Sequence, residues 1–550
     1  MPEEPAPLTV PVPLARGRRG AVVAPHHLAT AAGFRVLAAG GSAVDAAIAT
    51  NAVLGVVMPS GCGIGGDAFW LIWDAAARRQ LALNGSGRSA AAADADALRA
   101  RGLSALPRHG GLSITVPGAV RSWGDAHARF GRLGREAVLG PAIELADRGF
   151  PASATFAKAV ERTAEIMDAE IGSDAAGFHR VYRASGRPWQ AGEIVRLPAL
   201  SATLGRLVDD GFDAFYAGDL AARQARALAA AGSAITAADF DAHRSTWTDP
   251  IATTYRGVRV TTHPPNSSGI VALELLNILE TFEPSPSADA RSIHLGVEAS
   301  KLAFADRDAH LTDPAFHDIP VERLVDKAYA AELARGIDPN RASRPAAAAA
   351  PRGGGTIYLA TVDAEGNAVS LIESNYMGFG SGIVDPDTGV HYQNRGSYFS
   401  LDPDHRNVLA PSKRTLHTLM PGMLFRDGKA PWVLAGSMGG DAQPQIHAQL
   451  VSALVDRGVD VRTAVSGPRW FVEPAEHFAP PIEVRAEPRF APGVLEALEA
   501  MGHPVTRTEP FDSWLGHCHA IELVGGGPAS ENGSVAAATD PRSDGLPAVY

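Results

Sequence analysis

Only two cysteines, Cys62 and Cys518, occur in the 550 residues. Two cysteines build no disulfide framework. Cys518 lies in Gly516-His517-Cys518-His519, but this spacing matches no zinc pattern and further ligands are missing. The reading is a packed thiol flanked by two histidines, with no metal or cofactor called for. Aromatic residues are scarce, at 7%. Long apolar runs are absent, so no membrane span is expected. Excess positive charge is absent too: 49 Lys and Arg face 60 Asp and Glu, for a net charge of −11. Such a chain repels phosphate backbones, so nucleic acid is excluded as a partner. The start, Met1-Pro2-Glu3-Glu4-Pro5, has no basic segment followed by an apolar one. A cytoplasmic location is the resulting expectation.

What is present is a hydrophobic content of 46%, with 57 glycines and 40 prolines. That supports a large, turn-rich α/β core rather than a helical bundle or a disordered chain. Helical spacing is predicted over Ala29–Gly40 and Ala43–Val57. The second carries Ala46, Ala47, Ala49 and Ala52, which suit close packing against a neighbour. Phe69–Trp73 reads as a buried strand. Residues 119–335 are dominated by helical spacing, as in Pro141–Arg148, Asp219–Ala231, Val271–Phe282 and Ile293–Ala309. Residues 341–355 are rich in Ala, Pro and Gly and read as a flexible segment. Strand patterns then begin. Thr356–Val362, a turn at 363–367 and Ala368–Ile372 form a predicted hairpin. Further strands are predicted at Gly422–Phe425 and Trp432–Ala435.

The run Gly353-Gly354-Gly355 stops at a threonine that starts a core strand. If the bond before Thr356 is cut, that residue offers two groups for amide hydrolysis. Its hydroxyl is a nucleophile. Its freed α-amine, with a pKa of about 7.7–8.0, is a base suited to neutral pH. Before cleavage the amide nitrogen has no usable lone pair, so the enzyme would be made as an inactive precursor. Alone, a Gly-Gly-Gly-Thr string is a weak signal.

A series of ordered motifs strengthens it. These are Gly40-Gly41-Ser42-Ala43-Val44-Asp45-Ala46-Ala47, Gly63-Ile64-Gly65-Gly66-Asp67-Ala68-Phe69 and Val116-Pro117-Gly118-Ala119-Val120. Tyr255-Arg256-Gly257, Pro264-Pro265-Asn266-Ser267-Ser268-Gly269 and Ala305-Asp306-Arg307 follow. The nucleophile region 356–369, Phe379-Gly380-Ser381-Gly382-Ile383, Gly436-Ser437-Met438-Gly439-Gly440 and Asp540-Pro541-Arg542 complete the series. Across almost the whole chain, this resembles the gamma-glutamyltransferase family of N-terminal-nucleophile hydrolases. The resemblance implies a four-layer α/β/β/α sandwich, built by a large subunit (1–355) and a small subunit (356–550) after autocleavage. It also implies an acyl-enzyme mechanism without cofactor on a small-molecule amide substrate, and leaves a homo-oligomer open.

The resemblance puts Thr356 on the catalytic threonine and Ser374 on a second hydroxyl residue that aids maturation. It puts Gly439 and Gly440 on the pair that supplies oxyanion-hole amides. The acyl-binding positions depart from the family pattern. Arg88 is shifted along the loop 83–89. Tyr376 stands for an asparagine, Arg395 for a glutamine and Tyr398 for the aspartate that holds a substrate ammonium. His417-Thr418 replaces a serine pair. Losing the aspartate removes the partner of an amine, and gaining Arg395 adds a planar donor fork for a carboxylate. The expectation is an acylase-like or oxamate-amidohydrolase-like branch acting on an anionic acyl group. Two alternatives remain: a glutathione hydrolase, and a non-catalytic binding protein that kept the fold. His26-His27 reads as capping, Asp306-Arg307-Asp308 as a helix charge network, and the glycines of 63–66 as a tightly packed loop.

Overall fold

The computed structural model describes residues 14–343, 355–426, 430–476 and 479–550. Most of the predicted flexible segment 341–355 lies outside the described residues. Two seven-stranded antiparallel sheets form the centre. One runs, in order, Ala548–Val549, Ala21–Val23, Thr356–Val362, Ala368–Ser374, Asp67–Asp74, Arg79–Gly85 and Thr246–Thr248. The other runs Ala15–Gly17, Ser534–Ala538, Cys518–Val524, Pro431–Ser437, Gly422–Phe425, Val258–Thr262 and Ile251–Tyr255.

Side-chain alternation along each strand produces the layers. In the hairpin strand, Tyr358, Ala360 and Val362 point inward and meet Met423, Leu434 and Ile521 of the facing sheet. Ile357 and Leu359 point outward into a core made with the helices. The helix Ala43–Val57 covers that outer face and is buried at every residue. Its start is fixed by Ser42 and Asp45, which cap each other's backbone amides. The other sheet is covered by helices Gly269–Glu280, Ala290–His310 and Gln443–Val455. The result is the expected α/β/β/α sandwich.

The predicted helices and strands occur with shifts of a few residues at their ends, with two corrections. The helix expected to start at Pro141 starts at Arg135, so Pro141 sits inside it. Proline suits a first turn and costs a hydrogen bond later, but burial of Pro141 beside Ala142 and Leu139 offsets that cost. The stretch read as helical also contains strands Thr246–Thr248, Ile251–Tyr255 and Val258–Thr262. These are short, and two of them form sheet edges, where sequence patterns are weak. Among the described residues, no helix is long and apolar enough to cross a membrane.

Candidate active site

The hairpin register assembles the centre. Thr356 lies directly opposite Ser374, and Ser374 directly opposite Asp67. Residues opposite one another share a face of a sheet. A hydroxyl, a second hydroxyl and a carboxylate thus stand in one row facing the other sheet, all nearly inaccessible. Thr356 Oγ1 is 2.9 Å from Ser374 Oγ. Ser374 Oγ donates to the Gly355 carbonyl oxygen at 2.7 Å, and its single proton is thereby used. The Thr356 hydroxyl must therefore donate to Ser374 Oγ, which also accepts the Tyr376 amide at 2.7 Å. Tyr376 holds φ at 77°, a conformation that L side chains adopt at a cost. Gly355 is tightly enclosed: a Cβ there would overlap the Ser60 carbonyl oxygen and lie 2.7 Å from the Gly378 amide nitrogen.

Gly439 and Gly440 follow strand Pro431–Ser437 and open the helical segment leading into Gln443–Val455. Their φ values are 155° and 54°, and a Cβ on Gly439 would stand 2.6 Å from Ile446 Cδ1. Glycine is required there. Gly436 packs on the ring of Tyr358, two residues after Thr356. Neither glycine amide donates to another group among the described residues. Asp441 fixes the turn: it takes a hydrogen bond from the Tyr398 hydroxyl and an ion pair from Arg307 at 2.6 Å.

Arg395 is 1% exposed. Its guanidinium lies 4.3 Å from the centre of the Tyr376 ring and 5.6 Å from that of Tyr398. Nη1 donates to Thr418 Oγ1 at 3.2 Å, whereas buried Nη2 has no hydrogen-bond partner among the described residues. Among the described residues neither Arg395 nor Arg88 has an ion pair. Arg88 is half-buried and keeps other company, its charge acting on Arg414 and His243. The structure therefore brings Arg395, Tyr376, Tyr398 and Thr418 together and holds Arg88 with a different set.

His417 is buried and faces Asp67, with Nε2 3.2 Å from Asp67 Oδ2. Burial, Arg395, His263 and Arg414 push its pKa well below the ordinary histidine range. It is thus neutral, donating from Nε2 and accepting the Leu419 amide at Nδ1. Asp67 Oδ1 accepts the Gly87 amide at 2.9 Å. Burial raises the Asp67 pKa to about 7, against the pull of Arg395, the Gly87 and Gly118 amides and Arg414. Sequence reasoning assigned no role to Asp67 or Asp441. The signals were a carboxylate inside Gly-Ile-Gly-Gly-Asp and another directly after the glycine pair.

Several plainer readings are visible in the structure. His26 Nδ1 accepts the Leu28 amide and caps the first helix. Arg307 joins Asp308 and Asp441, and Asp306 takes the Tyr329 hydroxyl. The 63–66 loop packs so closely that a Cβ on Gly65 would overlap the His391 carbonyl oxygen. Cys518 is buried, which pushes its thiol up to about 12. Elsewhere, ligand atoms of His294, Glu298 and His503 lie within 4.8 Å of one another. The Lys301 ammonium, 2.6 Å from Glu298 Oε1, already takes the place of a cation there.

The sequence profile of the family described as Gamma-glutamyltranspeptidase matches residues 29–550. The chain is 40% identical to the glutathione hydrolase-like YwrD proenzyme of Bacillus subtilis, over 96% of this chain and 98% of that one. It is 37% identical to the oxamate amidohydrolase proenzyme of Klebsiella pneumoniae, with the same coverage of both chains. The crystal structure of cephalosporin acylase from Bacillus halodurans superposes with a TM-score of 0.91 at 36% identity, covering 100% of this chain and 99% of that one. With a family match over almost its whole length and a fold shared along it, this chain belongs to the gamma-glutamyltranspeptidase family.

Proposed function

We propose that the chain is a precursor that cuts itself between Gly355 and Thr356, then hydrolyses small amides whose acyl part carries a negative charge. The observation that carries this reading is the chain of hydrogen bonds from Thr356 Oγ1 through Ser374 Oγ to the Gly355 carbonyl oxygen. It sets the nucleophile beside the bond before it and polarises that carbonyl. Attack by Thr356 Oγ1 on the Gly355 carbon transfers the acyl group from nitrogen to oxygen. That shift breaks the Gly355–Thr356 carbon–nitrogen bond and frees the Thr356 amine, which takes the hydroxyl proton; water then hydrolyses the ester, releasing the Gly355 carboxylate and restoring the Thr356 hydroxyl.

The products are a large subunit, 1–355, and a small subunit, 356–550. In the mature enzyme the amine takes the hydroxyl proton, Thr356 Oγ1 attacks the substrate carbonyl, and the Gly439 and Gly440 amides receive the oxyanion. The amine's proton passes to the leaving group, and water releases the acyl product. Arg395 supports an anionic acyl group through its unpartnered Nη2, with Tyr376, Tyr398 and Thr418 fixing the plane of the guanidinium. His417 orients the wall behind it, and Arg88 adds positive charge from the neighbouring loop. Oxamate has this chemistry: an amide joined directly to a carboxylate.

The test has two steps. Intact mass of wild type should give two fragments, the smaller starting at Thr356, whereas Thr356→Ala should stay whole. The mature protein should then release ammonia from oxamate faster than glutamate from glutathione. An uncut wild-type chain refutes the mechanism, and preferred glutathione turnover refutes the anionic-acyl reading.

A further inference from the structure

Arg395 is a buried cation, and a buried cation needs a counter-charge. Two carboxylates act on it, Asp67 and Asp441. Asp441 is already offset by Arg307 at 2.6 Å and takes the Tyr398 hydroxyl as well. Among the described residues, Asp67 has no ion pair with an arginine or lysine. Its hydrogen bonds come from neutral donors: the Gly87 amide at 2.9 Å and His417 Nε2 at 3.2 Å. Asp67 is therefore the carboxylate left to balance Arg395. It stands in the same cross-strand row as Thr356 and Ser374. An acyl carboxylate on Arg395 Nη2, with its amide carbon at Thr356, would bring a second negative charge into this dry space.

Resting on the anionic-acyl reading above, we propose that anion binding at Arg395 is coupled to uptake of one proton by the Asp67–His417 pair. The incoming anion replaces Asp67 as counter-charge of the guanidinium. The proton comes from solvent and settles on a remaining lone pair of the Asp67 carboxylate, whose Oδ2 already receives the His417 Nε2–H, so binding of a singly charged acyl group leaves the net charge of the site unchanged.

The surroundings favour this exchange. Burial pushes Asp67 up to about 7, so neutral pH finds it part-protonated, and a like charge nearby raises it further. Arg395 and Arg414 favour its charged form. Glu373 on the opposite face of the sheet, itself pushed up to about 8 by burial, and the raised hydroxyl of Tyr216 also interact with it. His417 is too desolvated to carry a charge of its own beside Arg395, His263 and Arg414. The pair takes up one proton as a unit.

Oxalate, which stays a dianion between pH 6 and 9, is the probe, and the mature enzyme is the protein. Its inhibition constant should rise about tenfold for each pH unit above 7 in wild type, and the slope should fall by about one in Asp67→Asn. The Thr356 amine titrates in the same window in both proteins, so the difference in slope is what counts. Should Asp67→Asn not mature, infrared difference spectra of wild type with ¹³C-oxalate read the same event: a carbonyl band of a newly protonated protein carboxyl should appear on binding. Equal slopes, or binding without that band, overturn the coupling alone. No binding of oxalate by wild type at any pH overturns the anionic-acyl reading, and the coupling with it.

Discussion

At Gly355, the residue before the proposed cut, the neighbours leave no room for a side chain. A Cβ there would overlap the Ser60 carbonyl oxygen and crowd the Gly378 amide and carbonyl. Gly355→Ala should therefore displace the carbonyl from Ser374 Oγ and slow self-cleavage at least tenfold, read as loss of full-length chain on a gel time course. Ser374 tests the same geometry from the other side. Ser374→Ala removes the bridge to Gly355 and should slow cleavage by about a hundredfold, the lower range for a positioned proton-transfer group. Ser374→Thr keeps the hydroxyl and should cleave within a few-fold of wild type. At Arg395, packed against two adjoining tyrosine rings with one edge on Thr418, Arg395→Lys keeps the charge but loses the planar fork. It should raise KM for oxamate at least tenfold while leaving self-cleavage intact, because the Arg395 side chain bonds Thr418 and not the relay of Thr356, Ser374 and Gly355. Arg395 was legible in the sequence because a cation stands where the family pattern has an amide. Asp67 was not, since its role depends on a loop and a histidine 350 positions away.

Among the elements, those with strong local signals were the easiest to read. Ala43–Val57 is an apolar run with its own capping box, and its bounds match the structure. The hairpin from Thr356 was clear because two β-rich runs flank a turn; the structure extends its second strand to Ser374, and those two extra residues bring the hydroxyl opposite Thr356. Of the short strands between Thr246 and Thr262, Thr246–Thr248 and Val258–Thr262 were hidden because they are held by partners far away, Arg79–Gly85 and Gly422–Phe425, whereas Ile251–Tyr255 pairs locally with Val258–Thr262 in a short hairpin that the helical reading passed over. Capping gives a prediction at this scale. Ser42→Ala removes a hydrogen bond to the Asp45 amide and loosens the reciprocal one from Asp45. It should cost about 1 kcal/mol, measurable as a lower denaturant midpoint with unchanged kcat, because the cap lies at the far end of the helix layer from the acyl pocket residues it does not touch.

Across the whole molecule, the proposed cut divides neither sheet into separate halves. In one sheet Ala21–Val23, before the cut, lies between Ala548–Val549 and Thr356–Val362, after it; Asp67–Asp74 then pairs with Ala368–Ser374. In the other, Ala15–Gly17 closes one edge and Val258–Thr262 and Ile251–Tyr255 the opposite one, around four strands from beyond the cut. Each piece alone would expose strand edges and the inner faces of both sheets, a known route to aggregation. The nucleophile's row also depends on both pieces, because Asp67 comes from one and Thr356 and Ser374 from the other. The mature protein should therefore migrate as one particle in native conditions and as two bands only when denatured. Residues 1–355 and 356–550 made separately should be insoluble, whereas the same pieces made together should yield soluble enzyme with oxamate activity. Soluble, folded pieces from separate expression would show that each half carries its own core, contrary to the interleaved sheets.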